Sequence, residues 1–386
     1  MNKKKIAIIM GTRPEAIKMA PVVYALKQKS NYIDSIVIAT AQHRQMLDQV
    51  LSLFKIVPDI DLDLMRPNQN LNDLTCRVLQ LMHKTLTDVK PDMLMVQGDT
   101  TTVFAASVAA FYLKIPVAHV EAGLRSHELY NPFPEEANRR LTSVLTQIHL
   151  APTPLAKEKL INEGTKEENI FVTGNTVVDA MSALLKAPFS FSESSIKNLP
   201  LNQYRVILVT SHRRESLGED LKNTCLALKE IIKRFPDVMV VYPVHLNPNV
   251  RKTVMEILSD VERVALIEPV DYLCFLYLMQ KAHIIVTDSG GVQEEAPTLK
   301  KPLLVLRKLT ERPEAFNAGL SKIIGTSTNK IVAEISLLLT DEKAYQAMIG
   351  NNPFGDGKAA ERIAELITRW VRNETPLLSS ENEFKG

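Results

Sequence analysis

The sequence predicts an α/β protein of two doubly wound domains, each a mainly parallel sheet covered by helices. Three observations carry this prediction. Short β-branched runs alternate with longer helical patterns along the chain. Small-residue turns stand where an apolar run ends and a helix begins, above all Gly11-Thr12-Arg13-Pro14-Glu15 and Asp288-Ser289-Gly290-Gly291. The length of 386 residues suits two domains of about 150–200 residues, ample to bury two separate cores.

In the first half, the runs at 5–10, 34–39, 93–97, 117–121 and 148–151 read as strands. In the second half those at 205–210, 238–243, 264–267, 283–287 and 303–306 do. Helical segments separate most of them, and no short-period repeat is present. Thr173-Gly174-Asn175-Thr176 leads into a helix and then a serine-rich meander at 188–202, a composition shift that marks a domain junction. The expected division is a first domain at 1–173 and a second at 174–367. Residues 368–386 follow as a helix end and polar tail packing back on the first domain. The last helix, 358–372, has Ile363, Leu366, Ile367 and Trp370 to bury, whereas the tail from Glu374 reads as frayed.

Bulk composition excludes several function classes. A net charge of +2, from 46 basic and 44 acidic residues, leaves no electrostatic footprint for nucleic acid. A bound anion must therefore be met by local groups. Cys76, Cys225 and Cys274 are far apart with no paired spacing, against a disulfide framework or zinc site and in keeping with a reducing cytoplasm. There is no His-x-x-x-His either, and neither metal nor cofactor is expected. The apolar run after Lys3-Lys4-Lys5 is too short for a signal peptide. The run at 103–113 stops at Lys114 and Pro116, short of a membrane span. The expectation is a soluble cytoplasmic protein with no membrane partner.

Residues that suit chemistry gather at the predicted carboxyl ends of strands, where open parallel sheets bind ligands. Asp288 to Gly291 forms a strand end and helix start whose amides suit a phosphate. A glutamate one turn inside that helix suits a pair of sugar hydroxyls. Gly11 to Lys18 reads as a strand end, a tight turn and a helix with Pro14 at its first position. Arg13 then lies at the helix mouth and Lys18 a turn further on, although a solvated basic face explains them equally.

Three acids recur in the first half. Asp99 follows the strand at 93–97, Glu121 ends the strand at 117–121, and Glu135 starts a helix. Asp99 taken singly is better read as a cap of the next helix, and Glu135 as a dipole-compensating partner of Arg139. Glu121 is harder to explain structurally, because a carboxylate after a buried strand needs partners. Arg125 and the hydroxyls of Thr100 to Thr102 are the candidates. Converging on one cleft, three carboxylates would suit proton transfer at a poorly acidic position.

In the second half, Ser211-His212-Arg213-Arg214-Glu215 follows the first strand, and Arg312 follows the strand at 303–306. Basic groups at strand ends suit a diphosphate; a surface cluster is the competing reading. His245, also after a strand, reads singly as a loop histidine.

These motifs, in this order, resemble the non-hydrolysing UDP-N-acetylglucosamine 2-epimerases. The matching segments are 11–21, 97–102, 119–126, 131–140, 173–180, 211–215, 242–248, 288–297 and 310–314. The resemblance implies two Rossmann-like domains in the GT-B arrangement, with the active site in the interdomain cleft. It implies an isomerase that converts UDP-GlcNAc to UDP-ManNAc through a bound glycal, as a homodimer supplying cell-envelope polysaccharide. It implies Asp99, Glu121 and Glu135 as acid–base groups. Arg13, Lys18, His212, Arg213, Arg312 and the amides of Ser289, Gly290 and Gly291 would serve the diphosphate. Glu295 would hold the ribose, and the backbone at Val270 and Phe275 the uracil.

Gln42, Gln45 and His245 match an allosteric UDP-GlcNAc site of the bacterial members. Departures from the family pattern are Asn68 in place of an arginine of that site (with Arg66 nearby), Ser216, Lys308-Leu309 and Val270. None removes a proposed catalytic group, but Asn68 puts allosteric control in question. The alternatives are a hydrolysing epimerase releasing ManNAc and UDP, a GT-B glycosyltransferase, and an inactive nucleotide-sugar sensor. Fold alone does not choose among them.

Overall fold

Each apolar run expected as a strand lies in one of two parallel sheets. The computed structural model describes residues 3–40, 44–66, 69–186, 189–191, 194, 196–211 and 218–386, without the side chain of Gln45. The chain divides into two units, Met1–Ser182 with Phe354–Gly386, and Ala183–Pro353.

The first unit holds β1 (Lys4–Met10), β2 (Ile33–Ala39), β3 (Ile60–Asp61), β4 (Met93–Gln97), β5 (Val117–Val120), β6 (Ile148–Ala151) and β7 (Ile170–Val172). Their spatial order is β3-β2-β1-β4-β5-β6-β7, and every pairing is parallel. The helices are α1 (Arg13–Gln28), α2 (Arg44–Leu53), α3 (Leu71–Val89), α4 (Thr101–Tyr112), α5 (Glu135–Leu145), α6 (Pro154–Asn162) and α7 (Thr176–Leu184). With helices on both faces the strands have no wet side. That is why Ile6 to Met10 and Met93 to Val96 are unbroken apolar runs and all buried. Alanines 105, 106, 109 and 110 are buried along α4 with apolar residues of α3 in one core cluster.

The second unit holds β8 (Arg205–Thr210), β9 (Val238–Pro243), β10 (Val264–Ile267), β11 (Ala282–Thr287), β12 (Leu303–Val305) and β13 (Ser321–Ile323). The order is β10-β9-β8-β11-β12-β13, again with parallel pairings. Its helices are α8 (Glu219–Arg234), α9 (Pro248–Leu258), α10 (Tyr272–Lys281), α11 (Gly290–Glu295), α12 (Pro313–Asn317), α13 (Thr328–Thr340) and α14 (Glu342–Ala347). Strand residues such as Val209, Val240 and Val286 share one core with Leu228 and Ile231 of α8 and Ile331 and Ile335 of α13. In both sheets the strand order reverses beside the first strand, between β1 and β4 and between β8 and β11. Those are the switch points at which such sheets bind ligands.

Three strands lie outside the expected set: β3, β7 and β13. All are sheet edges of two or three residues, too short to show a period. β5 ends at Val120, one residue early, because Glu121 takes a left-handed φ of 65°.

The unit bounds also fall elsewhere than 173/174 and 367/368. α7 through Ser182 belongs to the first unit, with Val177, Val178, Ala180 and Met181 buried. Asp179 on α7 accepts from the N–H groups of Ala359 and Ala360, at 3.2 and 2.8 Å. It thereby satisfies the start of the last helix, α15 (Ala359–Val371). All of α15 is in the first unit, where it buries Ile363, Leu366 and Ile367; Trp370 is half-buried. The tail, read as frayed, is tied down. Phe384 N–H bonds Val172 O at 2.8 Å, and Glu383 Oε1 accepts from Val172 N–H at 3.1 Å. Its physical reason is the otherwise exposed edge of β7, which offers backbone groups to pair.

Candidate active site

In the first unit the loops after β1, β4 and β5 carry the polar cluster. α1 begins with Thr12 as N-cap and Pro14 in its first turn. Glu15 folds back, and its Oε2 accepts from the N–H groups of Gly11 and Thr12 at 2.5 and 3.2 Å. This fixes the turn bearing Arg13, which is exposed at the helix mouth, and Lys18, which points inward one turn on. Burial pushes the Glu15 carboxyl up to about 7, against opposing hydrogen bonds from Thr100, Gly11 and Thr12.

Lys18 Nζ meets Glu121 Oε2 at 2.5 Å, with side-chain exposures of only 10 % and 7 %. Gln97 Nε2, from the last residue of β4, donates to the same oxygen at 2.7 Å. Glu121 thus holds a sparsely populated backbone conformation and a buried ion pair together, a combination that collects at functional sites. Lys18 and Gln97 are among its partners, whereas the expected Arg125 turns elsewhere. The Arg125 guanidinium is fully buried and forks onto Glu163, with Nε and Nη2 at 2.8–3.0 Å from its oxygens.

Asp99 does not serve as the cap of α4. Thr100 does, its Oγ1 accepting from Val103 N–H at 3.3 Å. The Asp99 carboxylate instead takes both Nε and Nη2 of Arg139, at 2.9 and 2.6 Å. Arg139 also reaches the fully buried Glu136 at 3.1 Å. Asn138 Nδ2 donates to Asp99 O at 2.9 Å, so α5 grips the Asp99 loop through two successive residues. Glu135, half-buried, is the first residue of that helix. Beneath the loop, His119 Nε2–H donates to Gly98 O at 2.7 Å, supporting a residue whose φ of 80° only glycine adopts readily. Burial depresses the His119 imidazole to about 4, so it stays a neutral donor at physiological pH.

In the second unit, the switch point is fastened by Thr210 Oγ1 and Thr287 Oγ1 at 2.6 Å. Ser211 Oγ adds a bond to the fully buried Asp288 at 3.0 Å. Ser289 stands at the N-cap position of α11 without a side-chain capping bond, and Gly290 and Gly291 form its first turn. Arg312 lies against that turn: a Cβ on Gly290 would stand 2.7 Å from its Nη1, so only glycine admits the guanidinium there. Arg312 is already compensated, by Glu294 at 2.7 Å and Glu311 at 2.6 Å. Glu295 closes α11, accepting from the Tyr272 hydroxyl at 2.8 Å. Val270 is half-buried in the turn before α10, and Phe275 gives its N–H to Asp271 O at 3.0 Å. His245 is exposed in the loop after β9, its Nδ1 accepting from Asn247 N–H at 3.1 Å.

His212, Arg213, Gln42, Asn68, Ser216 and the Gln45 side chain lie outside the described residues. Among the described residues, no three His, Cys, Asp or Glu side chains gather as metal ligands. No helix there is long and apolar enough to cross a membrane.

The family described as UDP-N-acetylglucosamine 2-epimerase matches residues 25–368. The UDP-N-acetylglucosamine 2-epimerase of Yersinia pestis is 51 % identical over 377 residues, covering 94 % of this chain and 98 % of its own. The chain belongs to the UDP-N-acetylglucosamine 2-epimerase family. A solved UDP-GlcNAc 2-epimerase from Neisseria meningitidis, bound to UDP-GlcNAc, superposes with a TM-score of 0.87. It is 51 % identical and covers 95 % of this chain and 100 % of its own. The Methanocaldococcus jannaschii UDP-GlcNAc 2-epimerase, in complex with UDP-GlcNAc and UDP, has a TM-score of 0.79 and 37 % identity. It covers 94 % of this chain and 99 % of its own.

Within this epimerase-family fold, the first unit brings Lys18, Glu121, Asp99 and Arg139 to the carboxyl ends of adjacent strands. Gln97 and Glu15 are additions to the expected set. Their signals are a polar residue ending an otherwise apolar strand, which must find a partner, and the Thr-x-x-Glu capping pattern at 12–15. In the second unit the additions are Glu294, Glu311 and Tyr272. Glu294 and Tyr272 are remote in sequence from the arginine and the carboxylate they hold, so no local pattern reveals them, whereas Glu311 directly precedes Arg312.

Proposed function

We propose that this protein epimerises UDP-N-acetylglucosamine reversibly at sugar carbon 2, giving UDP-N-acetylmannosamine without releasing free sugar. The observation that carries this reading is the buried Lys18–Glu121–Gln97 cluster beside the Asp99–Arg139 pair. Both lie at the carboxyl ends of β4 and β5, in a chain of this family. A nucleotide-binding site alone has no need of a costly buried carboxylate–ammonium pair on a strained residue.

The proton on carbon 2 is very weakly acidic, so its removal must accompany departure of UDP. The C2–H electron pair becomes the C1–C2 double bond of a glycal. The C1–O bond breaks, and its pair leaves on the diphosphate. Return of UDP to carbon 1 and a proton to the opposite face of carbon 2 completes the inversion. Asp99, Glu121 and Glu135 supply the acid and base groups. Arg13, Lys18, His212, Arg213 and the amides of Ser289, Gly290 and Gly291 meet the charge growing on the diphosphate. Since Glu294 and Glu311 already balance Arg312, it acts there as a fixed N–H donor and not as net charge. Glu295 holds the ribose, and the backbone near Val270 and Phe275 the uracil.

On the same reading the enzyme is a cytoplasmic homodimer providing ManNAc precursors for envelope polysaccharide. Gln42, Gln45 and His245 would then belong to an activating UDP-GlcNAc site.

Incubation with UDP-GlcNAc in deuterated water, followed by NMR, tests the proposal. The expected result is deuterium at sugar carbon 2 and UDP-ManNAc, with little free ManNAc. Free ManNAc with UDP as the main products would mean a hydrolysing enzyme. Absence of exchange in folded protein would refute proton chemistry altogether.

A further inference from the structure

We propose that Tyr272 sets the ribose preference of the nucleotide site by holding Glu295 in its accepting position. This rests on the assignment of Glu295 to the ribose and adds a residue that acts through it. The Tyr272 hydroxyl donates to Glu295 Oε1 at 2.8 Å, and the two residues are 9 % and 7 % exposed. A glutamate side chain has three rotatable bonds, and ordering it costs rotamer entropy. With one oxygen tied to a phenol, the plane of the carboxylate is set before any diol arrives, which lowers the cost of binding.

The donor itself is well placed. Tyr272 is the first residue of α10, and Asp271 caps that helix by accepting from Cys274 N–H at 2.9 Å. The turn before Asp271 carries Val270, the residue assigned to the uracil. One short segment therefore positions the base-side backbone and, through the Tyr272 hydroxyl, the ribose-side carboxylate. A phenylalanine at 272 would keep the ring and its packing and remove the hydroxyl that donates to Glu295. Tyr272 is accordingly a positioning residue, with no contact to substrate required of it.

The test is calorimetric titration of the full chain with UDP and with 2′,3′-dideoxy-UDP, for wild type, Tyr272→Phe, Glu295→Gln and the double variant. Hydrogen bonds to a charged group imply a wild-type preference for UDP of about tenfold or more. In Tyr272→Phe, UDP binding should weaken by roughly that factor while dideoxy-UDP binding stays unchanged. The double variant should then discriminate no less than Glu295→Gln alone. Equal weakening of both ligands in Tyr272→Phe would reveal a purely structural role and overturn the inference, as would an unchanged preference. Absence of preference in wild type, or full preference in Glu295→Gln, would instead refute the ribose assignment itself and the inference with it.

Discussion

The Glu15→Gln substitution isolates the price of a buried carboxyl at the mouth of α1. Burial holds the Glu15 carboxyl near 7, against 4.5 when unfolded. Between those values the unfolded chain releases a proton that the folded chain keeps. Its contribution to stability is therefore fully present below 4.5 and is lost as pH rises through about 7. At about 1.4 kcal/mol per unit, the loss between pH 5 and pH 8.5 is about 2.5 kcal/mol. A glutamine keeps an oxygen for the Gly11 and Thr12 amides but does not titrate, so the variant escapes this loss. Its amide also puts a donor where Glu15 Oε1 lies buried with no hydrogen-bond partner among the described residues, a penalty that is independent of pH. The observable is thus the change with pH of the difference between variant and wild type, which cancels every other titrating group. At roughly 2–4 °C per kcal/mol, the difference in melting temperature should move about 5–10 °C in favour of the variant from pH 5 to pH 8.5. A difference constant within a degree would refute the reasoning.

Other parts of the first unit are equally open to test. Burial holds His149 at about 3, against 6.5 unfolded; its contribution is present above 6.5 and lost as pH falls. His149→Leu should therefore remove about 2 kcal/mol of the destabilisation between pH 7 and pH 5. Equal acid sensitivity of variant and wild type in urea titrations would contradict this. Lys18→Met removes the ammonium from its buried contact with Glu121 and should cost about 3–5 kcal/mol. Adding Glu121→Gln should restore much of the loss, and a double variant no better than the single would show that the pair is not coupled. Phe384→Ala removes a buried ring that has the Arg362 guanidinium 5.9 Å from its centroid. The expected loss is about 3 kcal/mol, with faster proteolysis of the tail; an unchanged melting temperature would mean that the tail is held by backbone bonds alone.

The central strands were legible in the sequence because parallel sheets buried on both faces demand continuous apolar runs. Residues 93–97, 205–210 and 238–243 needed no context to be read. Three of the four edges were not legible: β3, β7 and β13 pair along one side and persist for only two or three residues, whereas the four-residue apolar run of β10 was read. The tail misled for a related reason, since its composition is polar but Phe384 and Leu378 are buried. Candidate site residues were legible where they end strands or open helices, as with Asp99, Glu121 and Lys18. Their partners were not. By spacing Arg139 is the companion of Glu135, yet a guanidinium four residues into α5 reaches across to Asp99 on a different loop. Arg125, four residues from Glu121, looked like its natural cation. The left-handed turn at Glu121 sends the following chain toward Glu163 instead. Pairings of this kind depend on where separate loops meet.

That pattern of pairing bears on how proton chemistry is housed. In the first unit, each acid at a strand end is met by a cation from a helix: Glu121 by Lys18 of α1, Asp99 by Arg139 of α5. The loop that bears Asp99 is held in turn by groups with no charge to exchange, the neutral His119 on Gly98 and Asn138 on Asp99 O. A carboxylate that must gain and lose a proton perturbs its surroundings least when its loop is fixed by neutral hydrogen bonds, because these are unaffected by its charge. The second unit differs. Arg312 is set between Glu294 and Glu311, the latter shared with Arg307, and is seated on a glycine; two guanidinium groups against two carboxylates suit a rigid donor surface whose net charge stays near zero until an anion arrives. One unit would thus suit charge that moves and the other charge that is held, the division expected if proton transfer and nucleotide binding fall to different halves of the chain.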